Sequence, residues 1–516
     1  MDAPHPTRGT ERPPLRWGLR TDLLRHGDGG DSSRVGYVEL FFDLVFVFAV
    51  TQLSHGLIAH PGVEALGHTL LLGVAVWWVW VDTMWVTNWL DPERLPVRGL
   101  LVVLMLLGLV LASAIPEAFG DKGLLFAVML VAMQVGRSLF TMVATGRVWP
   151  ENAVDFVRIT TWLAASGVLW VAGGLVEEHR LLLWAVAAAI DVAGPRAMFW
   201  LPGIGASRAS TWVVRGEHMA ERVSLFVIIC LGESIIVTGA AFAELPLDLT
   251  TVSAFCSAFA STVLMWLLFF DRSERRATEY FTSRAERGMV AQTAYTYVPF
   301  VIVAGIVLTA VADELVLLHP LGHDGGHADA WTAGLVCGAA ATYLVGNALF
   351  RRATGGRWSL PHVLGAVAVG VLFALHAWLS PLALNWVTDG VLLAVIVGDV
   401  VRARRVPTPP SAAPSDGPSG APSDLPRAPP SPPRAGPGAA AGGARALRRP
   451  RRRTGRRGRR RTGRARRRGH PPRRRPGPRE PGTVRLAGRD RRDVATFALM
   501  ARGSRPSRRG TRRERA

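Results

Sequence analysis

Apolar blocks of about 20 residues recur from residue 35 to residue 401. That length is what a helix rising about 1.5 Å per residue needs to cross a hydrocarbon layer about 30 Å thick. Twelve blocks can be delimited, at approximately 35–59, 66–90, 98–115, 122–145, 155–175, 180–201, 220–243, 250–271, 289–312, 330–350, 360–379 and 382–401. The third stops at Pro116, and little more than Ser380-Pro381 separates the last two. Inside a bilayer every backbone amide and carbonyl must be satisfied within the protein, so each crossing is a helix. The pattern predicts an all-α polytopic membrane protein with about twelve transmembrane helices. A soluble chain with 49% hydrophobic residues would spread them in an amphipathic period instead.

The arginines supply an independent count, because loops on the cytoplasmic side are rich in Lys and Arg. The segment before the first block carries Arg8, Arg12, Arg16, Arg20, Arg25 and Arg34, and the first loop carries none. Rich loops follow at Arg94/Arg98, Arg147/Arg158, Arg208/Arg215, Arg272–Arg287, Arg351–Arg357 and Arg402–Arg405. The loops between them hold Lys122, Arg180 or no basic residue. Rich and poor alternate without a break, as twelve crossings with both termini cytoplasmic require. Residues 1–33 are polar and lack the apolar run of a cleavable signal peptide.

The formal net charge of +21 belongs to one end of the chain. Residues 407–516 hold 32 of the 60 basic and 6 of the 39 acidic residues, so residues 1–406 are mildly acidic. A nucleic-acid-binding reading of the whole chain fails on that split. The expected organisation is a cytoplasmic segment 1–33, a membrane domain 34–405 and a tail 406–516. The tail opens as VPTPPSAAPSDGPSGAPSDLP and becomes RRPRRRTGRRGRRRTGRARRRGHPPRRRP, which cannot build a core and is expected to be disordered. It either binds anionic lipid or nucleic acid, or is a solvated extension. Its arginine bias also fits a misread frame in a GC-rich gene.

Carboxylates inside apolar helices are costly and are kept for ion paths or for paired contacts. Glu39 and Asp43 lie one helical turn apart in 34-RVGYVELFFDLVFVFAVTQLSHGL-57 and share a face. Two such groups in low dielectric share a proton, take up a cation or pair with an arginine of another helix. Arg137, inside the fourth block, is the expected partner. A second constellation is 217-EHMAERVSLFVIICLGESIIVTG-239. His218, Glu221 and Arg222 stand at its cytoplasmic end, and Glu233 follows about 16 Å further along the axis on the same face as Arg222. Gly232 would permit close helix approach there, and Ser234 could add a hydrogen bond. Asp82 in the second block and Asp191, which opens the Pro195-interrupted stretch 191-DVAGPR-196, complete the candidate ion- or substrate-binding set of Glu39, Asp43, Glu233, Asp82 and Asp191. Arg137, His218, Glu221, Arg222 and Ser234 are the supporting polar residues. Asn347, His376 and Asp389 are further polar residues placed in blocks.

Other features point to packing. Trp77, Trp78, Trp80, Trp85 and Trp89 are expected to pack or to form an interfacial belt. Cys230, Cys256 and Cys337 sit in apolar blocks without metal or disulfide spacing. His319, His323 and His327 lie among glycines that would not align them, so no metal is expected. No HExxH, GxSxG, Walker A or dinucleotide fingerprint occurs, so neither an enzyme, a catalytic residue nor a cofactor is expected. Arg34-Val35 and Arg222-Val223 open similar apolar runs in the first and seventh blocks, as two parallel six-helix halves would produce.

The stretches VELFFDLVFVFAVTQLS and HMAERVSLFVIICLGESI resemble those of the bacterial low temperature requirement A proteins, and the resemblance spans roughly residues 30–405. It implies a multi-pass protein of the bacterial inner membrane, named for a growth phenotype in the cold. It carries over Glu39, Phe42, Asp43, His218, Glu221, Arg222, Gly232, Glu233 and Ser234. Val223-Ser224 departs from the His-Gly often found after that arginine. Two readings stand. In one, the protein is a secondary transporter or channel for an unknown ion or small solute, with the buried carboxylates as proton or cation sites. In the other, it is a non-transporting membrane protein supporting growth or envelope function at low temperature, with those charges as helix–helix contacts.

Overall fold

The computed structural model describes residues 23–25, 35–146, 150–208, 214–270, 292–322, 326–354 and 358–405. The rest of the segment 1–33, the arginines from Arg272 to Arg287, His323 and the tail 406–516 lie outside these residues. Among the described residues there are twelve α-helices and no strand: α1 (Tyr37–Ala59), α2 (Val63–Trp89), α3 (Leu95–Ala114), α4 (Gly123–Thr145), α5 (Pro150–Leu175), α6 (Arg180–Arg196), α7 (Gly216–Ala243), α8 (Leu249–Leu268), α9 (Val298–Leu318), α10 (Ala330–Ala353), α11 (Leu360–Ala374) and α12 (Pro381–Arg405). Ten helical stretches are long and apolar enough to cross a membrane, and α6 and α11 fall short of that length.

Local chemistry sets the helix starts. Prolines occupy the first turn of α3, α5, α9, α11 and α12, where a missing N–H costs nothing. Asp248 caps α8 by accepting from Thr251 N at 2.7 Å, and Asp329 caps α10 by accepting from Trp331 N and Thr332 N. The ends depart from the sequence expectation in three places. The sixth helix stops at Arg196 rather than near 201, because Pro195 occupies its last turn and Met198 and Phe199 take left-handed backbone (φ 49° and 48°). The ninth begins after a π-turn, Thr293–Tyr297, and runs on to Leu318. The eleventh ends at Ala374, so His376 belongs to a 3-10 turn and not to a helix.

The helices pack in a recurring order. In the first six, α1 packs on α2 and α3, α3 on α4, α4 on α5, α5 on α6 and α2 on α6. In the last six, α7 packs on α8 and α9, α9 on α10, α10 on α11, α11 on α12 and α8 on α12, the same pairings six helices later. The two groups meet through contacts of α1 with α7 and α9 and of α2 with α7. One apolar core draws on all twelve helices. Outward, α3 exposes Val102, Val103, Leu106 and Leu109, and α11 exposes Leu364, Val367 and Val371. Stripes of this kind suit lipid, not water.

All five tryptophans of α2 are buried, so this helix is a central packing element and not an interfacial belt. Their indole N–H groups find partners inside the protein: Trp77 donates to Thr296 O at 2.7 Å and Trp85 to Thr296 Oγ1 at 2.9 Å. Glycine permits the closest helix crossing elsewhere than expected. A Cβ on Gly305 of α9 would lie 2.8 Å from the Tyr343 backbone of α10, and one on Gly346 would lie 3.0 Å from Ile302 N. A Cβ on Gly232 would meet nothing within 4 Å, so the expectation of close approach at Gly232 is overturned. Overpacking costs about 1–3 kcal/mol or more. Gly305→Val should therefore lower the thermal unfolding midpoint in detergent clearly, whereas Gly232→Ala should leave it within about a degree. Equal behaviour of the two variants would contradict the crossing described.

Candidate ion and proton sites

The first constellation assembles at the seam between α1 and α7. Glu39 stands in the first turn of α1, and its Oε2 accepts from Gly36 N at 2.9 Å, closing the helix start. The same oxygen accepts from Arg25 at 3.2 Å. Its other oxygen, Oε1, faces α7 and meets His218 Nε2 at 3.0 Å and an Arg222 guanidinium nitrogen at 3.0 Å. One turn further, Asp43 Oδ1 accepts from Arg222 at 2.6 Å and from Trp80 Nε1 of α2 at 2.7 Å. Glu39, Asp43, His218 and Arg222 are at most 1% exposed.

Arg222 thus bridges the two carboxylates, one guanidinium nitrogen to each, and a proton shared directly between Glu39 and Asp43 is not the arrangement found. The arginine of the pair is Arg222, not Arg137 as the sequence led one to expect. The reason is topological: α7 lies along α1, while α4 packs on α2, α3 and α5. Glu221 has a separate task, its Oε2 accepting from Val35 N at 3.1 Å just before α1. Not every atom is satisfied, for Asp43 Oδ2, His218 Nδ1 and Arg222 Nε are buried without hydrogen-bond partners.

The seam continues outward. Thr51 of α1 donates to Glu233 Oε1 of α7 at 2.5 Å. Contacts that begin with Asp43–Arg222 and advance to Thr51–Glu233 mean that α1 and α7 run parallel. Eight residues separate Asp43 from Thr51, so the two levels lie about 12 Å apart along the helix axis. Glu233 is half-buried, and Ser234 is buried beside it. Asp43 and Glu233 therefore occupy one interface at different depths.

Asp82 and Asp191 belong to another region. Arg137 of α4 donates to Asp82 Oδ2 at 3.0 Å, to Val79 O at 3.1 Å and to Thr83 Oγ1 at 3.2 Å, with Gln134 as a further acceptor. Asp82 and Arg137 line a cleft of about 500 Å³ together with Pro195 and Gln292. Asp191 accepts from Ser166 Oγ at 2.5 Å and Trp170 Nε1 at 2.9 Å, both of α5. Near the proline-marked end of α6, Gln292 Nε2 donates to Pro195 O and Tyr297 OH to Val192 O, both at 2.9 Å. Tertiary donors thus reach two carbonyls of that last turn.

Sequence reasoning overlooked Asp313 and the network of Arg351, Asp399, His362 and Ser359. Arg351 of α10 pairs with Asp399 of α12, and Ser359 donates to the same carboxylate at 3.2 Å. Asp313 falls just past the ninth apolar block, which ends at 312 before the Asp313-Glu314 pair, although the helix continues to Leu318. The apolar run 315-LVLL-318 that extends the helix was the available signal.

The geometry orders the substitutions at the seam. Breaking a buried pair by removing one partner costs about 3–5 kcal/mol. Arg222→Gln, which strands two carboxylates, should be the most damaging to thermal stability in detergent. Glu39→Gln should follow, and Asp43→Asn should cost least, because Trp80 can still donate and Oδ2 loses no partner. Asp43→Asn proving the worst of the three would refute this order.

Comparison with known proteins places the chain in a family. The family model of the bacterial low temperature requirement A protein (LtrA) matches residues 34–397. An uncharacterized protein of Rhizobium meliloti (strain 1021) is 39% identical over 378 residues, which cover 73% of this chain and 91% of that protein. No solved structure matches the chain. The matched range begins three residues before α1 and ends within α12, so it encloses Glu39, Asp43, Asp82, Arg137, Asp191, His218, Arg222 and Glu233, and the chain belongs to the bacterial low temperature requirement A family of multi-pass membrane proteins.

Proposed function

We propose that the protein is a secondary transporter of the bacterial inner membrane, moving an ion or small solute with Asp43 and Glu233 as proton or cation sites. The observation that carries this reading is the seam itself: two parallel helices from opposite halves of the chain that bring buried carboxylates together at two depths. All twelve helices cross in this reading, with both termini cytoplasmic, and the chain is two parallel six-helix halves. The pairings that recur six helices apart support the halves. Substrate sites of repeat-built transporters lie at such an interface, near the bilayer midplane. The Arg-Val match does not contribute, because Arg34 precedes α1 by three residues whereas Arg222 is seven residues into α7.

Within the seam the roles divide. Glu39, with both oxygens occupied by two arginines, a histidine and a backbone amide, fixes α1 to α7. Asp43 shares Arg222 and keeps one oxygen unpartnered, so it can change its protonation without dismantling the joint. Trp80 donates to Asp43 and also lines an apolar pocket between α1, α2, α7 and α9, so one indole connects the carboxylate to that pocket. Asp82, Arg137 and Asp191 serve the cleft near α6. The saturation of Glu39 also favours the second reading in part, as an interhelical contact.

Reconstitution separates the two. In proteoliposomes under an imposed proton or sodium gradient, a pH-sensitive or cation-sensitive dye should report flux through the wild-type protein. Asp43→Asn and Glu233→Gln should reduce it at least tenfold while leaving monodisperse protein. Variants that fold and conduct like wild type would remove these carboxylates from the mechanism. Loss of thermal stability with no flux from any form would leave the structural role.

A further inference from the structure

A second buried acidic cluster takes no part in the α1–α7 seam and lies where α8, α9 and α12 meet. Asp389 of α12 accepts from Ser257 Oγ at 2.8 Å and from Ser261 Oγ at 2.7 Å, both of α8. Asn385, one turn earlier in α12, donates through Nδ2 to Ser257 Oγ at 3.0 Å and to Asp313 Oδ1 of α9 at 3.1 Å. Hydrogen bonds therefore link the two carboxylates through one serine and one amide. Thr388 lies next to Asp389 in sequence and one turn from Asn385 on α12. All six side chains are buried, Asp313 at 1% exposure and Ser257 at 0%.

Two features separate this cluster from the seam. Among the described residues, neither Asp313 nor Asp389 pairs with an arginine, lysine or histidine; their partners are the two serines and the asparagine. And Asp313 Oδ2, in the carboxylate already held to the cluster by its other oxygen, is buried without a hydrogen-bond partner, as is Thr388 Oγ1. Two carboxylates held together in a low-dielectric interior call for positive charge.

We propose that Asp313, Asp389, Ser257, Ser261, Asn385 and Thr388 form a binding site for a monovalent alkali cation. The donors are carboxylate, hydroxyl and amide groups, the oxygen set that suits hard cations. Among the described residues no three His, Cys, Asp or Glu side chains converge, so the set lacks the ligands of a transition-metal centre. Hydroxyls that donate to Asp389 keep lone pairs for a cation, and Asp313 Oδ2 is a ready ligand. A cation there would draw α8, α9 and α12 together, three helices that also pack on one another directly. The site is distinct from Asp43 and Glu233, and its test reads binding, not flux, so either assignment can fail without the other.

The full-length protein in detergent is unfolded thermally at fixed ionic strength in NaCl, KCl, LiCl or choline chloride. At least one alkali chloride should raise the midpoint by several degrees over choline, with saturation, as a ligand of the folded state does. Asp313→Asn and Asp389→Asn should abolish the rise. Ser261→Ala and Thr388→Val, which remove neutral oxygens and preserve folding if an acidic variant does not, should raise the half-saturating concentration about tenfold. Equal midpoints in all four salts would overturn the proposal, as would a rise that survives Asp313→Asn or is unaltered in both neutral variants. Stabilisation by acidification alone would make the cluster a protonation site, and stabilisation by MgCl2 or CaCl2 alone would make it a divalent one; each outcome overturns the alkali assignment.

Discussion

One guanidinium ties α7 to α1. Arg222 reaches from α7 to Glu39 and Asp43 of α1, in surroundings where water cannot take over any of those contacts. A charge buried without a partner costs far more than a paired one, so the position of α7 against α1 is confined to the depth at which both bonds form. The other contacts follow from that depth. His218, one turn earlier, reaches Glu39, and Glu233, three turns later, reaches Thr51. Trp80 closes the third side from α2. The seam is a spine of polar contacts inside an otherwise apolar bundle, and it brings together residues of the stretches VELFFDLVFVFAVTQLS and HMAERVSLFVIICLGESI.

The helices were legible in the sequence because lipid enforces their length. Every one of the twelve blocks coincides with a helix, and errors fall at ends where prolines, polar pairs and turns intervene. The ninth block shows the mechanism of error. A carboxylate pair, Asp313-Glu314, reads as the membrane edge, but tertiary partners let Asp313 stay inside and the helix continue. The residues of the site were legible for a similar reason: a carboxylate in an apolar run has few innocent explanations. Their partners were not. Period and spacing place Glu39 with Asp43, and Arg222 with Glu233, on their own helices. They do not say which helix lies alongside, and so Arg137 stood in for Arg222. Gly232 shows the converse, a small residue beside a carboxylate that proves to face open space.

The buried and half-buried carboxylates fall into two chemical classes. Glu39, Asp82 and Asp399 each meet an arginine within the protein. Such pairs are neutral as units and hold helices in register at modest net gain. Asp191, Asp313 and Asp389 meet hydroxyls, an indole or an amide instead, and Glu233 meets Thr51. Neutral donors stabilise a carboxylate without cancelling its charge, so in the transporter reading these groups are the candidates for exchanging a proton or a cation. Asp43 stands between the classes, because the single charge of Arg222 serves Glu39 as well. Of the two carboxylates that share Arg222, Asp43 is the less compensated: Glu39 also has Arg25, His218 and a backbone amide, whereas Asp43 Oδ2 has no partner. In the transporter reading, Asp43 is therefore the member of the seam that can take up a proton or cation without losing a contact it already makes.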